Sequence, residues 1–168
     1  SDGVPLKITL QEETLLDISI NGKSNIFNEE DILQFRKYLP KLYRNSNWNC
    51  LFQTRIHGFS LSTLFSRTAK KSPLLLFIKT MDNEVIGGFL YNGLIISDKY
   101  YGNYETFVFR MKPNIEVFHW DIRKPKSNRY FVSSNLSCIS FGASSEQGGG
   151  SALFIQNDLN TGFSEDCD

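Results

Sequence analysis

Residues 74–90 read LLLFIKTMDNEVIGGFL, two apolar runs separated by a short polar segment. An apolar run, a polar turn and a second apolar run are typical of a β-hairpin. The second run contains Gly87 and Gly88, and paired glycines inside a strand indicate a bulge or a close approach of another part of the chain. The sequence therefore predicts an antiparallel strand pair in the middle of the chain.

Further strands are indicated on both sides of this hairpin by short apolar segments between Pro, Asn, Gly and Ser residues. They are residues 106–111, 116–120, 129–133, 138–141 and 151–155. Residues 48–55 alternate apolar and polar side chains, as do residues 16–20, and a period of two is the pattern of a strand. These segments together predict a mostly antiparallel β-protein.

Two helices interrupt the strand pattern. Asn28 and Asp31 resemble a capping box, and apolar residues at helical spacing follow up to Pro40, which predicts a helix over residues 29–39. Ser60 is placed to cap a second, shorter helix. Its apolar side is formed by Leu61, Leu64 and Phe65.

Length and charge limit the classes of partner. The chain has 168 residues with 18 basic and 18 acidic side chains, so no overall field attracts it to nucleic acid or to an anionic membrane. The longest apolar run, residues 74–78, has five residues, whereas a membrane-spanning helix needs about 20. We expect one domain, no nucleic-acid partner and no direct membrane insertion.

Few residues are suited to catalysis. The two histidines, His57 and His119, are not part of any zinc-ligand spacing, and we expect neither a metal nor a cofactor. Glu105 follows a Tyr- and Gly-rich loop and opens an apolar strand. An apolar setting would favour its use as a general acid; the alternative is a structural carboxylate that accepts backbone hydrogen bonds from the loop.

The three cysteines, Cys50, Cys138 and Cys167, are too few for a disulfide scaffold and are expected to be reduced thiols of a cytoplasmic protein. A reactive thiol needs an electropositive, partly exposed setting. Cys50 and Cys138 fall in predicted strands, and Cys167 lies between two aspartates. A thiol-dependent antioxidant is therefore kept only as an alternative, beside a hydrolase that uses Glu105.

Several blocks, in order along the chain, resemble the TLDc domain of the oxidation-resistance proteins. They are residues 38–40, 48–52, 57–65, 74–89, 97–109, 116–120 and 148–155, followed by Asp158, Leu159, Gly162, Ser164 and Cys167. The resemblance implies an α+β, mostly β fold in which two antiparallel sheets form a β-sandwich flanked by a few short helices. It covers residues 24–168 and leaves residues 1–23 as an N-terminal extension or tag remnant with a possible extra strand.

The resemblance also implies a function. Such a domain is expected to be a non-catalytic interaction module that binds subunits of the vacuolar proton-pumping ATPase, regulates the assembly or activity of the pump, and supports resistance to oxidative stress. We expect it to be cytoplasmic and recruited through the pump to vacuolar, lysosomal or endosomal membranes. The candidate contact residues implied are His57, Gly58, Tyr101, Gly102, Glu105, Gly148, Gly149 and Gly150.

The chain departs from the family pattern at three places. Tyr104 stands where the family has a second glycine, which questions any positive φ there. Residues 123–127 and 143–147 look like insertions. The chain ends at Asp168, before the family's last strand. We expect either that the sequence is truncated there or that another segment covers the edge, with residues 16–20 as the candidate. An uncovered edge would support self-association. A plain oligomerisation module is the third functional alternative.

Overall fold

The computed structural model describes residues 20–22, 24–123, 129–143 and 150–163. The chain divides into two units, residues 1–50 and residues 51–168. Each unit is described separately.

The helix predicted in the first unit begins where its capping box requires. Helix α1 spans Glu29–Phe35. The Asn28 side chain accepts a hydrogen bond from the Asp31 N–H at 2.9 Å, and the Asp31 carboxylate accepts one from the Asn28 N–H at 2.8 Å. The chain then tightens into the 3-10 turns Arg36–Tyr38 and Lys41–Tyr43, so the α-helix is shorter than the predicted residues 29–39.

Two short strands complete the first unit. Strand β1, Ile20–Asn21, pairs in parallel with strand β2, Trp48–Asn49. The extra strand expected at residues 16–20 falls outside the described residues except for its end at Ile20. That end belongs to the two-stranded β1–β2 sheet and joins neither of the larger sheets.

The second unit starts with helices where part of a strand was expected. Helix α2 spans Thr54–His57 and helix α3 spans Leu61–Thr68. The strand predicted over residues 48–55 was wrong beyond Asn49, because the carbonyl of Leu51 accepts a hydrogen bond from Arg67 Nε at 2.6 Å instead of joining a ladder. Ser60 caps α3 as predicted, with its hydroxyl accepting from the Thr63 N–H. No helix in the described ranges has the length and apolarity needed to cross a membrane.

The strands of the second unit form two antiparallel sheets. They are β3 Leu74–Lys79, β4 Val85–Leu90, β5 Ser97–Tyr101, β6 Phe107–Lys112, β7 Glu116–His119, β8 Val132–Ser134, β9 Cys138–Phe141, β10 Leu153–Gln156 and β11 Gly162–Phe163. One sheet has the order β3-β4-β6-β7 and the other β11-β10-β9-β8-β5. The predicted hairpin forms in the register Leu74↔Leu90.

The core lies between these two sheets and α3. Partly buried side chains of β3 and β4 pack against buried residues of the second sheet and of α3. The buried members are Leu61, Leu64, Phe65, Leu90, Phe131, Val132, Ile139, Phe141, Leu153 and Ile155. This arrangement confirms the mostly β, α+β class with a few short helices.

The paired glycines of β4 allow the two sheets to approach. A Cβ atom built on Gly88 would collide with the Phe141 ring from the other sheet, and one on Gly87 would collide with the Leu76 carbonyl oxygen of β3. The register irregularity lies elsewhere, between Val85 and Ile86. Close approach, rather than a bulge, is thus the role of the pair.

Candidate functional site

The loop between β5 and β6, residues 102–105, is tightly folded. Gly102 has φ +104°, and a Cβ atom there would lie 3.1 Å from the Phe131 Cβ. The Asn103 carbonyl accepts the Thr106 N–H at 3.0 Å, and the Asn103 side chain accepts the Glu105 N–H at 3.0 Å. The backbone of this 102–105 loop is therefore fixed, and it leaves Glu105 exposed.

Tyr104 occupies its loop position without glycine-like geometry. The non-glycine residues with positive φ in the described ranges are Lys70, Asn83 and Leu159. The Tyr104 ring instead packs edge-on against Phe131, with centroids 4.9 Å apart. The substitution of the family's second glycine therefore removes no required backbone conformation.

Glu105 lies near a histidine that was not paired with it from sequence. Its charge raises the pKa of His119, although partial burial of the imidazole has the larger effect and lowers that pKa. The His119 ring lies 4.9 Å from the Phe107 ring. The register Phe107↔His119 of the β6–β7 hairpin brings these two rings together, and Glu105 precedes Phe107 by two residues.

The surroundings of Glu105 correct both expectations for it. The residue is exposed and does not sit in an apolar setting. In the described ranges, the backbone N–H of Glu105 donates a hydrogen bond to the Asn103 side chain. The Glu105 carboxylate accepts no hydrogen bond from the glycine loop there. The structure thus offers an exposed carboxylate whose charge acts on a partly buried imidazole.

Tyr101 has a structural role in the second sheet. Ser134 Oγ donates to the Ile95 carbonyl at 2.7 Å, so the Tyr101 hydroxyl donates its proton to Ser134 Oγ, 2.6 Å away. The phenolic oxygen also accepts the Ile95 N–H at 3.0 Å. Burial raises the pKa of Tyr101. This closed ring of hydrogen bonds ties the loop before β5 to β8.

Residues 56–59, at the end of α2 and the start of the link to α3, present apolar side chains to solvent. This segment is called the 56–59 turn. Ile56 is 63% exposed and Phe59 is 54% exposed. His57 anchors the turn, since its Nδ1 accepts the Gln53 N–H at 2.9 Å and its ring stacks on Phe52 at 5.6 Å. A Cβ atom on Gly58 would have no neighbour within 4 Å. The 56–59 turn is therefore both held in shape and open.

The remaining candidates are placed as follows. Gly148 and Gly149 lie outside the described residues, and Gly150 is half-buried. The hydrogen bonds and ring contacts of His57 are with Gln53 and Phe52, and do not connect the 56–59 turn to the 102–105 loop. In the part of the chain that the structure describes, these contacts therefore do not join the predicted residues into one site.

The two cysteines in the described ranges differ in their exposure. Cys50 is exposed, Cys138 is half-buried with its pKa raised by burial, and Cys167 lies outside the described residues. Raised thiol pKa lowers the thiolate fraction and with it the reactivity. Within the described ranges, no group of three or more His, Cys, Asp or Glu side chains is arranged to hold a metal ion.

Comparison with known proteins agrees with this architecture. The family model of the TLDc domain matches residues 20–168. The chain belongs to the TLDc domain family. This TLDc chain is 34% identical over 164 residues to oxidation resistance protein 1 of Bos taurus, a match that covers 97% of the chain and 18% of the relative.

Two further relatives have similar coverage. The TLDc chain is 34% identical over 145 residues to nuclear receptor coactivator 7 of Mus musculus, covering 86% of the chain and 15% of the relative. It is 32% identical over 163 residues to oxidation resistance protein 1 of Homo sapiens, covering 96% and 18%. The chain therefore spans less than a fifth of the length of these relatives.

Proposed function

We propose that this TLDc domain is a non-catalytic protein-interaction module that regulates assembly or activity of the vacuolar proton-pumping ATPase and thereby contributes to resistance to oxidative stress. The name of oxidation resistance protein 1 supports the stress role. The name of nuclear receptor coactivator 7 describes a protein that works together with another protein, which supports an interaction role. The domain would act in the cytoplasm and be recruited through the pump to vacuolar, lysosomal or endosomal membranes.

The 56–59 turn is the observation that carries the interaction role. Binding energy at protein interfaces is concentrated in a few large side chains, and Phe59 and Ile56 are more than half exposed here. The turn is preorganised by the His57 side chain at one end and by the Ser60 cap at the other. A preformed turn loses little conformational entropy on binding, so these two side chains are suited to anchor a partner.

A pull-down tests this proposal. The 168-residue chain is immobilised and incubated with detergent-solubilised vacuolar membranes, and recovery of pump subunits is measured with ATP hydrolysis. The double variant Ile56→Ser/Phe59→Ser should lose most of the recovered pump. Met81→Ser is the matched control, because Met81 is fully exposed in the β3–β4 turn and should leave recovery unchanged.

Three outcomes would reject the proposal. They are no pump recovered by folded wild-type chain, equal loss in the control variant, and recovery without any change in hydrolysis. Light scattering of the free chain is run in parallel. Self-association of the free chain that persists in the double variant would favour an oligomerisation module that uses a sheet edge.

The charge of Glu105, which raises the pKa of His119, favours one second candidate, a hydrolase that uses Glu105 as acid or base. An imidazole next to a carboxylate is a common acid–base arrangement. Glu105→Gln separates the two candidates, because an enzyme would lose turnover while remaining folded. The interaction module would keep pump binding in this variant.

A further inference from the structure

A groove at the far end of α3 is separate from the 56–59 turn. It has a volume of about 450 Å³ and lies between the end of α3 and the loop that precedes β5. Volumes of 300–1,000 Å³ are typical of binding sites. Its lining residues are Phe65, Ala69, Lys70, Lys71, Ser72, Asn92, Leu94, Ile95 and Ile96.

The apolar part of this groove faces solvent. Ile95 is 46% exposed and Ile96 is 59% exposed, whereas Phe65 at the base is 6% exposed. Ile95 and Ile96 thus form a small apolar surface at the groove that is accessible from solvent. They offer a place for apolar side chains of a partner.

The charge of the groove has a single sign. Lys70 and Lys71 are its charged lining residues, and both are exposed. Neither amino group forms an ion pair in the described part of the chain, and no Asp or Glu lines the groove. Electrostatic complementarity between partners selects for the opposite charge, so the groove fits carboxylates next to apolar groups.

The groove is also formed before any partner arrives. The Tyr101 hydroxyl oxygen accepts the Ile95 N–H, and Ser134 Oγ donates to the Ile95 carbonyl. On the opposite wall, the Gly93 backbone lies against the Lys71 carbonyl, and a Cβ on Gly93 would collide with it. A preformed surface favours binding because its side chains and loops lose less conformational entropy on association.

We infer that this groove binds an acidic peptide segment of a partner protein, with apolar side chains on Ile95 and Ile96 and carboxylates on Lys70 and Lys71. The inference rests on the proposed role as a protein-interaction module and adds a second surface with a defined chemistry. It does not depend on which protein supplies the segment. Higher salt should weaken the interaction, because the lysines are exposed.

Selection from a phage-displayed library of random dodecapeptides tests the inference on the immobilised 168-residue chain. The selected peptides should share two or more acidic residues beside apolar ones. Their affinity is then measured by fluorescence polarisation. Lys71→Glu and Ile96→Ser should each weaken binding about tenfold, whereas Lys79→Glu, the same charge change on an exposed β3 residue, should leave it within twofold.

The inference is overturned if the folded chain selects no peptides, if the selected peptides lack acidic residues, or if the groove variants bind them as wild type does. Vesicles containing phosphatidylserine form a second arm. Binding to them that depends on Lys71, without peptide binding, would assign the groove to lipid headgroups instead. If the wild-type chain binds the peptides but recovers no pump, only the proposed function is rejected. If it recovers the pump but binds no peptides, only this inference is rejected.

Discussion

Replacement of Gly88 by alanine should destabilise the domain through a collision between its two sheets. Gly88 lies in β4, which is hydrogen-bonded to β3 on one side and β6 on the other. The new Cβ atom would lie well inside contact distance of the Phe141 ring. Phe141 is fully buried and its strand is paired on both sides, so neither group has room to move.

The expected cost follows from these constraints. Overpacking of a well-packed core costs about 1–3 kcal/mol, and a collision with a ring held on both sides belongs at the upper end of that range. Removing a glycine from the unfolded chain returns roughly 0.4–1 kcal/mol. The net loss is about 2 kcal/mol, which corresponds to roughly 4–8 °C in Tm for a domain of this size.

Urea unfolding followed by circular dichroism measures this loss. Phe141→Leu supplies the matched variant, because a smaller side chain opposite Gly88 makes room for the added methyl group. The double variant should be more stable than the sum of the two single changes predicts, with a coupling of about 1 kcal/mol. The predicted collision with Phe141 would be refuted if the unfolding free energy of Gly88→Ala lay within about 0.5 kcal/mol of wild type. Strictly additive effects of the two substitutions would refute it as well.

Four other predictions follow from single contacts. Tyr101→Phe removes the hydroxyl from its ring of hydrogen bonds and should cost about 1 kcal/mol in urea unfolding, whereas a neutral effect would contradict the assignment. Asn28→Ala removes the α1 cap and should also cost about 1 kcal/mol, largely recovered with Asp at this position. Glu105→Gln removes the charge that raises the pKa of His119, so NMR titration should show a lower His119 pKa; an unchanged or higher value would contradict the pairing. Cys138, half-buried with a raised pKa, should react with a thiol reagent at pH 7 more slowly in the folded than in the urea-unfolded chain, and equal rates would contradict its burial.

The sign of the pH effect at His119 can be worked out from its surroundings. Burial dominates, so the folded-state pKa lies below the unfolded value, and protonation favours the unfolded chain. The stabilising contribution is complete above the unfolded pKa, near 6.5, and is lost as the pH falls through the folded pKa. In Glu105→Gln this loss should extend to lower pH, because only the folded-state pKa of His119 falls.

Local signals predicted the elements that depend on neighbours in sequence. The hairpin at residues 74–90 forms because its turn and both apolar runs are contiguous. Helix α1 begins directly after its cap Asn28, because both capping partners lie within three residues. Strand β9, Cys138–Phe141, has its predicted bounds. Each of these elements required no knowledge of distant residues.

Features that depend on distant residues were missed. The alternation over residues 48–55 favoured a strand, but Arg67, sixteen residues after Leu51, binds its carbonyl and the chain turns into α2. Strand β5 was not predicted as a strand, because its Ser97–Tyr101 sequence is polar and it is an edge strand of the described sheet. The pairing of Glu105 with His119 likewise needed the register of β6 and β7, whereas composition suggested an apolar setting.

The most direct test of the interaction role measures ATP hydrolysis by purified vacuolar proton-pumping ATPase as the 168-residue chain is titrated in. We expect a saturable change in ATP hydrolysis with the wild-type chain and with Met81→Ser. Ile56→Ser/Phe59→Ser should cause little or no change at the same concentrations. No change with the folded wild-type chain, or the same change with all three proteins, would contradict the interaction role.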